Sequence, residues 1–495
     1  MITQFDKNTI LKEIQKTPEI FGVLCNIRKV ADTLQYPCYV VGGYVRDLIL
    51  ERPNDDIDVV VVGKGQKIAE AFTEYLKKES NFDNIKLSIF ENFGTAQVHF
   101  GNWEVEFVGA RKESYERGSR KPIVEDGTLK DDQLRRDFTI NAMAIQLNAE
   151  HFGELVDPFN GIEDIKNKII RTPIDPDTTF SDDPLRMLRA VRFMCKLDFG
   201  IDQKTKDGII RNVDRLDIIS AERITTEFMK IMASDHAKDG IEILKNFGLL
   251  KKFLPELVEM DTTRSSSVSE YARGHKNIFW HTLQVLDNVA QQTDNVWLRI
   301  AALFHDIGKM KTRSWNAHKG WSFDNHEYEG AKMIKSIFSR MKMPLDENMD
   351  FVETMVRMHM RPQAICDEGV TDAAVRRLVN DANGYIDELL ILAKADITTK
   401  HEDKKKNFWK QYDELKQRIE DLKQKDYVRL FQPCVSGDDI MIRYHLTPSR
   451  QVGEIKQLIK DAVLDNVVEN TTEALYKYID ENKKKKKIWV MKLFL

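Results

Sequence analysis

Asp56 and Asp58 stand one residue apart in NDDIDVVVVGKG (54–65), at the mouth of a run of four valines. In a strand, side chains two positions apart point to the same face. The two carboxylates would repel each other unless a cation lies between them. A second acidic pair, Glu104 and Glu106, alternates with Val105 and Phe107 in WEVEFVG. If that strand runs beside the first, three or four carboxylates converge, and hard oxygen ligands of this kind suit Mg2+. Ions held in this way activate an attacking hydroxyl and neutralise a triphosphate. Upstream, Gly42 and Gly43 would let a phosphate approach the backbone closely, and Arg46, one helical turn on, would complete a cradle. Taken alone, the two aspartates fit a strand end with solvated acids equally well. The glycines, Arg46 and the second acidic strand weigh against that.

A second set of residues lies far downstream. His281 opens HTLQVLDNVAQ, His305 and Asp306 sit side by side near a helix end in LFHDIGKM, NHEYEGA holds His326, VRMHM holds His359 and AKADIT holds Asp396. Imidazole and carboxylate together suit a transition metal, Mg2+ or Mn2+. A single histidine on an apolar helix is more often a packing or surface residue, so the signal is the set. Lys309, one turn past Asp306, is placed to contact a phosphate, and His275 is a further candidate to line the site.

The elements that must position these residues follow from composition and periodicity. The chain has 495 residues, 42% hydrophobic and 31% charged, which predicts three or four domains, largely helical. No apolar run approaches the ~20 residues of a membrane span. The first residues lack the apolar core of a signal peptide. The five cysteines make no CxxC and read as reduced thiols of a cytosolic protein. A net charge of -4 does not announce a nucleic-acid binder, so any such role rests on local basic clusters. Residues 11–34 read as helix. PCYVVGGYVRD reads as a short strand, a glycine turn and a helix from about Val45. IDVVVVG is a strand, GQKIAEAFTEYLKKE an amphipathic helix, and IKLSIF, TAQVHF and WEVEFVG are three more strands. The polar stretch from Arg111 to Lys130 reads as a mobile loop, and FTINAMAIQL ends in a strand. From Pro184 the pattern is helical. Asp177, Thr179 or Ser181 would cap the helix of PLRMLRAVRFMCK, and Ser220 would cap SAERITTEFMKIM, with Glu222 and Glu227 near its start. A polar linker is expected at 259–274, a histidine-rich helical block at 277–400, then a charged helix of more than twenty residues (HEDKKKNFWK onward). A last helical pair at 449–482 precedes the lysine run 483–487.

VGGYVRDLIL…NDDIDVVV resembles the head motif of the class II tRNA nucleotidyltransferases, the CCA-adding enzymes, and of the related bacterial poly(A) polymerases. LRRDFTINAMA (134–144), DPFNGIEDIKNKIIRT (157–172), DDPLRMLRAVRF (182–193) and SAERITTEF (220–228) resemble four further motifs of that family, in order. The resemblance implies that Asp56, Asp58 and Glu106 hold catalytic Mg2+, Glu106 standing where the family commonly has aspartate and Glu104 being a bystander. Gly42, Gly43 and Arg46 would face the triphosphate. Arg135 and Arg136 would serve the nucleotide or hold the site together, Asp137 would contact the ribose, and Asn141 would lie nearby. Asp183 and Arg186, one turn apart on one helix face (i, i+3), would present a protein template to the incoming base, and Arg189, a further turn along that face, would reach the phosphates; Asp182 stands where the family has glutamate. A carboxylate and a guanidinium suit the exocyclic amine and ring acceptor that C and A share. The apolar face of that helix (Leu185, Leu188, Val191) would pack.

The downstream set resembles the HD phosphohydrolase superfamily. That implies metal ligation by His281, His305, Asp306 and Asp396, with His326 and His359 matching extra histidines of active or two-metal members. The metal would be Mn2+, Ni2+, Fe2+ or Mg2+. Many relatives carry a decayed HD module, whereas this set is complete; candidate substrates are a 2′,3′-cyclic phosphate or another phosphoester on nucleotide or RNA. The expected fold is α+β and multidomain: a nucleotidyltransferase head with a small mixed sheet over 1–173, a helical neck with the base-templating helix over 174–258, an HD-type helical metal domain over 259–420 and a helical, tRNA-contacting tail over 421–495. The expected function is untemplated addition of C, C and A to the tRNA 3′ end from CTP and ATP, with no membrane partner and the oligomeric state open. A poly(A) polymerase or a partial (A- or CC-) adding enzyme is the alternative within that chemistry. An HD phosphohydrolase using the head as an RNA-binding platform is the alternative outside it, and a non-catalytic tRNA-binding protein is the third.

Overall fold

The computed structural model describes residues 6–80, 82–90, 94–114, 123–261, 277–316, 318, 320–366, 370–399, 401–430, 432–465 and 467–485. The centre of the expected 111–130 loop, nearly all of the 259–274 linker, His275 and the last two lysines of the 483–487 run lie outside them. The chain divides into two compact units. One comprises Met1–Met360 with Ile391–Thr398, the other Arg361–Leu390 with Thr399–Leu495.

The larger unit opens with two helices, α1 (Lys7–Gln15) and α2 (Pro18–Leu34), in place of the one expected from residue 11. Pro18 explains the break, since it cannot continue a helix from the preceding turn but starts one well. Six strands follow: β1 (Cys38–Val41), β2 (Ile57–Val61), β3 (Lys86–Phe90), β4 (Thr95–Phe100), β5 (Trp103–Gly109) and β6 (Arg111–Ser114). β7 (Ile123–Asp126), β8 (Ala144–Gln146) and β9 (Leu155–Val156) complete the head strands. Seven of them form one mixed sheet in the order β3-β4-β5-β2-β1-β8-β9. β2 and β5 pair in parallel, and every other neighbour is antiparallel. The valines of β2 are buried, as is Phe72 of α4 (Gly65–Glu79), whose ring lies edge-on to Phe100 and tilted against Phe107. β6 and β7 pair with each other, so the expected loop is at its base a hairpin. It leads into α5 (Leu129–Leu134), whose Thr128 and Asp131 form a capping box.

The short helices α3 (Gly43–Ile49) and α6 (Gly161–Lys166) belong to the head, and the neck opens with α7 (Pro176–Asp182), α8 (Leu185–Leu197), α9 (Gln203–Asn212) and α10 (Ala221–Met232). The expected caps are corrected here. Asp177, Thr179 and Ser181 lie within α7, which Asp175 caps, and the first amide of α8 donates to the Asp183 carboxylate at 3.2 Å. Ser220 holds the N-cap position of α10 without a side-chain bond, and Glu227 is a buried partner of Arg192 at 3.1 Å rather than a first-turn acid. The helix Val296–Phe304 carries Arg299, fully buried, whose guanidinium donates to the carbonyls of Met232 and Ser234 and so ties this helix to the end of α10.

The smaller unit is helical, with a 29-residue helix over Glu402–Leu430. Arg418 of that helix donates to Asp372 and to the Val370 carbonyl. Val435, Ile440, Val452, Ile455, Ile459, Leu475 and Ile479 pack into one core beneath its last three helices.

Candidate active site and metal centre

The mixed sheet brings the acids of the two strands together. In the parallel register Asp58 faces Glu106 and Ile57 faces Val105. Asp56 lies just ahead of β2 and exposed, yet its charge acts on both other carboxyls. Burial first, then Asp56, pushes Asp58 up to about 6. Glu106 is also raised, by burial and by Asp56, against a hydrogen bond from Gln97 that lowers it. Glu104 pairs with His99 at 3.5 Å instead. Gly42, at φ +74°, sits over this cluster. A Cβ there would come within 3.1 Å of the Arg136 guanidinium and 3.6 Å of the Asp58 carboxylate, so the left-handed turn and the close approach both require glycine.

Arg46 is not an open phosphate ligand in this state. It is 3% exposed, and its Nε and Nη2 donate to the two carboxylate oxygens of Asp47 at 2.8 and 2.7 Å while Nη1 donates to Asn141 at 2.6 Å. Asn141 in turn donates to Asp137 at 3.0 Å, and Arg189 of α8 reaches the other oxygen of Asp137 at 2.7 Å. Burial works to raise Asp137, but Arg189 and Asn141 outweigh it and hold the carboxyl at about 2. Arg135 and Arg136 both close on Asp132, a fully buried acid; burial works to raise it, and the two arginines hold it below its ordinary range.

Asp183 and Arg186 do not share a helical face. Asp183 precedes Pro184 and α8 in extended backbone, so the i, i+3 argument for the pair does not apply. The Asp183 carboxylate accepts from Arg223 of α10 at 2.8 Å. The buried Arg186 donates to the carbonyls of Thr179 and Arg135, at 3.2 and 2.5 Å.

The downstream residues converge closely. Two groups have ligand atoms all within 4.8 Å of one another: His281, His305 and Asp396, and Asp306, His326 and His359. Asp56, Asp58 and Glu106 form no such group. His281 sits in the first turn of the helix Ile278–Ala290, and His305 ends Val296–Phe304. His326 starts His326–Met341, and His359 ends Glu347–Met358. The outward nitrogen of each ring is held, His281 by Thr398 at 3.0 Å and His305, His326 and His359 by carbonyls at 2.7–2.9 Å. This leaves every Nε2 aimed inward, the arrangement that fixes a metal ligand. Asp306 joins the groups. Its Oδ2 lies 3.5 and 3.3 Å from His281 and His305, and its Oδ1 lies 3.3 and 3.9 Å from His326 and His359. His305 Nε2 is buried without a hydrogen-bond partner, which fits a ligand position. Burial works to lower His305, but Asp306 and Asp396 outweigh it and push it up to about 10. Burial and the neighbouring His305 push His359 down to about 4. Lys309 donates to Asp306 at 2.6 Å.

The structure adds residues the sequence did not single out: Asp47, Asn54, Asp132 and Arg223, each the partner of a predicted one. Asp132 carried a usable signal, three and four residues ahead of two arginines on one helix. The others are joined through the fold.

The description "Poly A polymerase head domain" matches residues 38–171, "Probable RNA and SrmB-binding site of polymerase A" residues 198–260, and "HD domain" residues 278–400. The chain is 32% identical over 374 residues to the CCA-adding enzyme of Lactobacillus helveticus, covering 73% of this chain and 84% of that protein. It is 31% identical to the A-adding tRNA nucleotidyltransferase of Aquifex aeolicus over 56% of this chain, and 38% identical to that of Geobacter sulfurreducens over 48%; it spans only 33% and 26% of those two proteins. The solved CCA-adding enzyme of Thermotoga maritima shares the fold at a TM-score of 0.58 and 22% identity, covering 96% of this chain and 98% of that one. No helix among the described residues is long and apolar enough to cross a membrane. The chain belongs to the family of class II tRNA nucleotidyltransferases (CCA-adding enzymes) and poly(A) polymerases, and it carries an HD phosphohydrolase-type domain.

Proposed function

We propose that this protein adds C, C and A to the 3′ end of tRNA from CTP and ATP. The observation that carries the reading is the parallel register setting Asp58 beside Glu106 under the Gly42 turn. Asp56, Asp58 and Glu106 would hold Mg2+, whose chemistry is to polarise the attacking 3′-hydroxyl and neutralise the triphosphate. The raised pKa of Asp58 and Glu106 without metal fits clustered acids awaiting a cation. Gly42 and Gly43 leave backbone open to phosphate. Arg135 and Arg136, oriented by Asp132, border the same acids. Asp137, Asn141 and Arg189 hold the nucleotide side of the site, and Asp183 and Arg186 present polar groups to the base once they exchange their internal partners for it. Positioning and charge neutralisation together lower the barrier. The same limits run through the domain reading: head 1–173, neck 174–258, metal domain 259–420 and tail 421–495, the last contacting tRNA by shape and phosphates. The cysteines are not joined in disulfides and suit the cytoplasm.

Addition of A alone is the second reading, favoured by the names of the Aquifex and Geobacter relatives. Coverage favours the first, since this chain spans most of the Lactobacillus protein and a minor part of the other two. Incubation with tRNAs lacking their 3′ end, with CTP and ATP separately and together, decides. Ordered C, C, A addition supports the proposal. Addition of A only, to tRNA already ending in CC, selects the second reading, and long A-tracts from ATP select a poly(A) polymerase.

In the HD domain we propose hydrolysis of a phosphoester on nucleotide or RNA. His281, His305, Asp306 and Asp396 would hold a metal ion, with His326 and His359 as the further ligands of a second, and Mn2+, Ni2+, Fe2+ or Mg2+ are the candidates. Opening of 2′,3′-cyclic nucleotides to nucleoside 2′- or 3′-monophosphates by metal-replete protein, abolished by His326→Ala, is the expected result. Its absence across these metals leaves the domain a helical scaffold.

A further inference from the structure

The polar contacts around Arg46 form one uninterrupted chain. It begins at Arg189 on α8, passes through Asp137, Asn141, Arg46 and Asp47, and continues beyond the phosphate turn. Asn54 Nδ2 donates to Asp47 Oδ2 at 2.7 Å, and Asn54 Oδ1 accepts the backbone N–H of Asp56 at 2.9 Å. The same amide nitrogen lies 3.6 Å from where a Gly43 Cβ would stand. Asp47, Arg46, Asn141 and Asp137 are all 3–6% exposed, and Arg46 is packed with its guanidinium 5.2 Å from the Phe193 ring centre on α8. One end of the chain thus stands on the neck helix and the other holds the backbone of the first acid of the sheet.

We infer that Asn54 and Asp47 are positioning residues that couple Arg189 on the neck helix to the metal-holding acids of the head. A buried, fully paired network has few ways to move piecemeal, because an unpaired member is costly in a low-dielectric interior. A change at Arg189, such as its recruitment by a phosphate, alters what Asp137 and Asn141 accept and donate. Arg46 must then settle differently against Asp47, and Asn54 passes the change to the Asp56 backbone. The head and neck would in this way report to each other whether a nucleotide is in place before the acids close on their ions. The inference rests on the proposed metal role of Asp56 and Asp58.

The test reads metal binding rather than turnover. Mn2+ affinity of the nucleotide-free full-length protein is measured by electron paramagnetic resonance. Head-bound Mn2+ is the fraction lost in Asp58→Asn, which separates it from the HD centre. Arg189→Ala should weaken head-bound Mn2+ by roughly 2- to 30-fold, the range over which mutations along coupled networks act. Asn54→Ala should weaken it likewise, and Arg189→Ala should then add nothing in the Asn54→Ala background. Asn54 is only partly buried, so its truncation keeps the fold, and the melting curve of each variant checks this. Unchanged Mn2+ affinity in Arg189→Ala, or simple additivity in the double variant, overturns the coupling. If wild-type protein shows no Asp58-dependent Mn2+ at all, the metal reading itself falls and the coupling with it.

Discussion

Replacing Asp58 by asparagine should stabilise the metal-free head while removing nucleotide addition. The carboxyl is raised from 3.8 to about 6 by burial and by Asp56. At about 1.4 kcal/mol per unit, ionising it in the fold is harder by about 3 kcal/mol than in the unfolded chain. The sign follows from the direction of the shift. A carboxyl whose folded pKa is raised contributes stability that is complete below pH 4 and lost as pH rises through 6. An asparagine carries no such loss. Allowing for residual solvent at the strand mouth and for the altered hydrogen bonding of the amide, the gain at pH 7.5 should be about 1–3 kcal/mol. A chain of several domains does not melt in one step, so the local quantity to read is amide hydrogen exchange at Val59–Val61 in chelator. Protection there should rise by roughly 5- to 150-fold at pH 7.5 and be nearly equal in the two proteins at pH 4. Saturating Mg2+ should slow exchange in the wild type and leave the variant unmoved, since only a protein that binds the ion gains from it. Equal or weaker protection in metal-free Asp58→Asn at pH 7.5 would refute the argument that unpaired charge at this strand end opposes folding.

Three further outcomes are expected. Asp183→Ala should free Arg223 and shift the ratios of kcat/KM among CTP, ATP, UTP and GTP, whereas Asp58→Asn should slow all four alike; unchanged ratios would move base selection away from Asp183. Metal binding at the His281, His305 and Asp396 site should release about one proton, because His305, raised to about 10 without metal, must deprotonate to ligate. Calorimetry in buffers of different ionisation enthalpy measures this, and affinity should fall as pH drops; a pH-independent affinity between 6 and 8 contradicts it. Asp132→Asn should raise KM for CTP and ATP and lower head stability by about 1–3 kcal/mol, because it removes the charge and turns one of the two carboxylate oxygens that Arg135 and Arg136 hold into an amide that only donates; wild-type KM and midpoint together would show the clamp to be dispensable.

What the sequence made legible were the residues whose spacing repeats the geometry of a single element. Period two in IDVVVV and WEVEF identified the acids, and the run of apolar residues with terminal His-Asp placed His305 at a helix end, where it is found. The sheet order that sets Asp58 beside Glu106 joins strands 48 positions apart and could only be supposed. Helical spacing misled at Asp183 because Pro184 starts a new helix there, and a residue before proline is pushed into extended backbone. The i, i+3 rule assumes one continuous helix; here it spans a break. The same blindness hid the groups that hold the functional side chains. Arg46 reads from sequence as a free cation near a glycine turn, yet its partners are Asp47 beside it and Asn141, 95 residues on. The donors of a buried arginine are mostly matched within the fold, so the tighter its surroundings, the less its neighbours in sequence say about what it touches. In the ligand-free state Arg46, Asp183 and Arg186 are each satisfied by protein groups. Any direct contact they make with a nucleotide must therefore replace a bond already present. The net gain from such an exchange is small, and so these residues favour the correct ligand through the difference between two well-made sets of contacts rather than through the strength of either one.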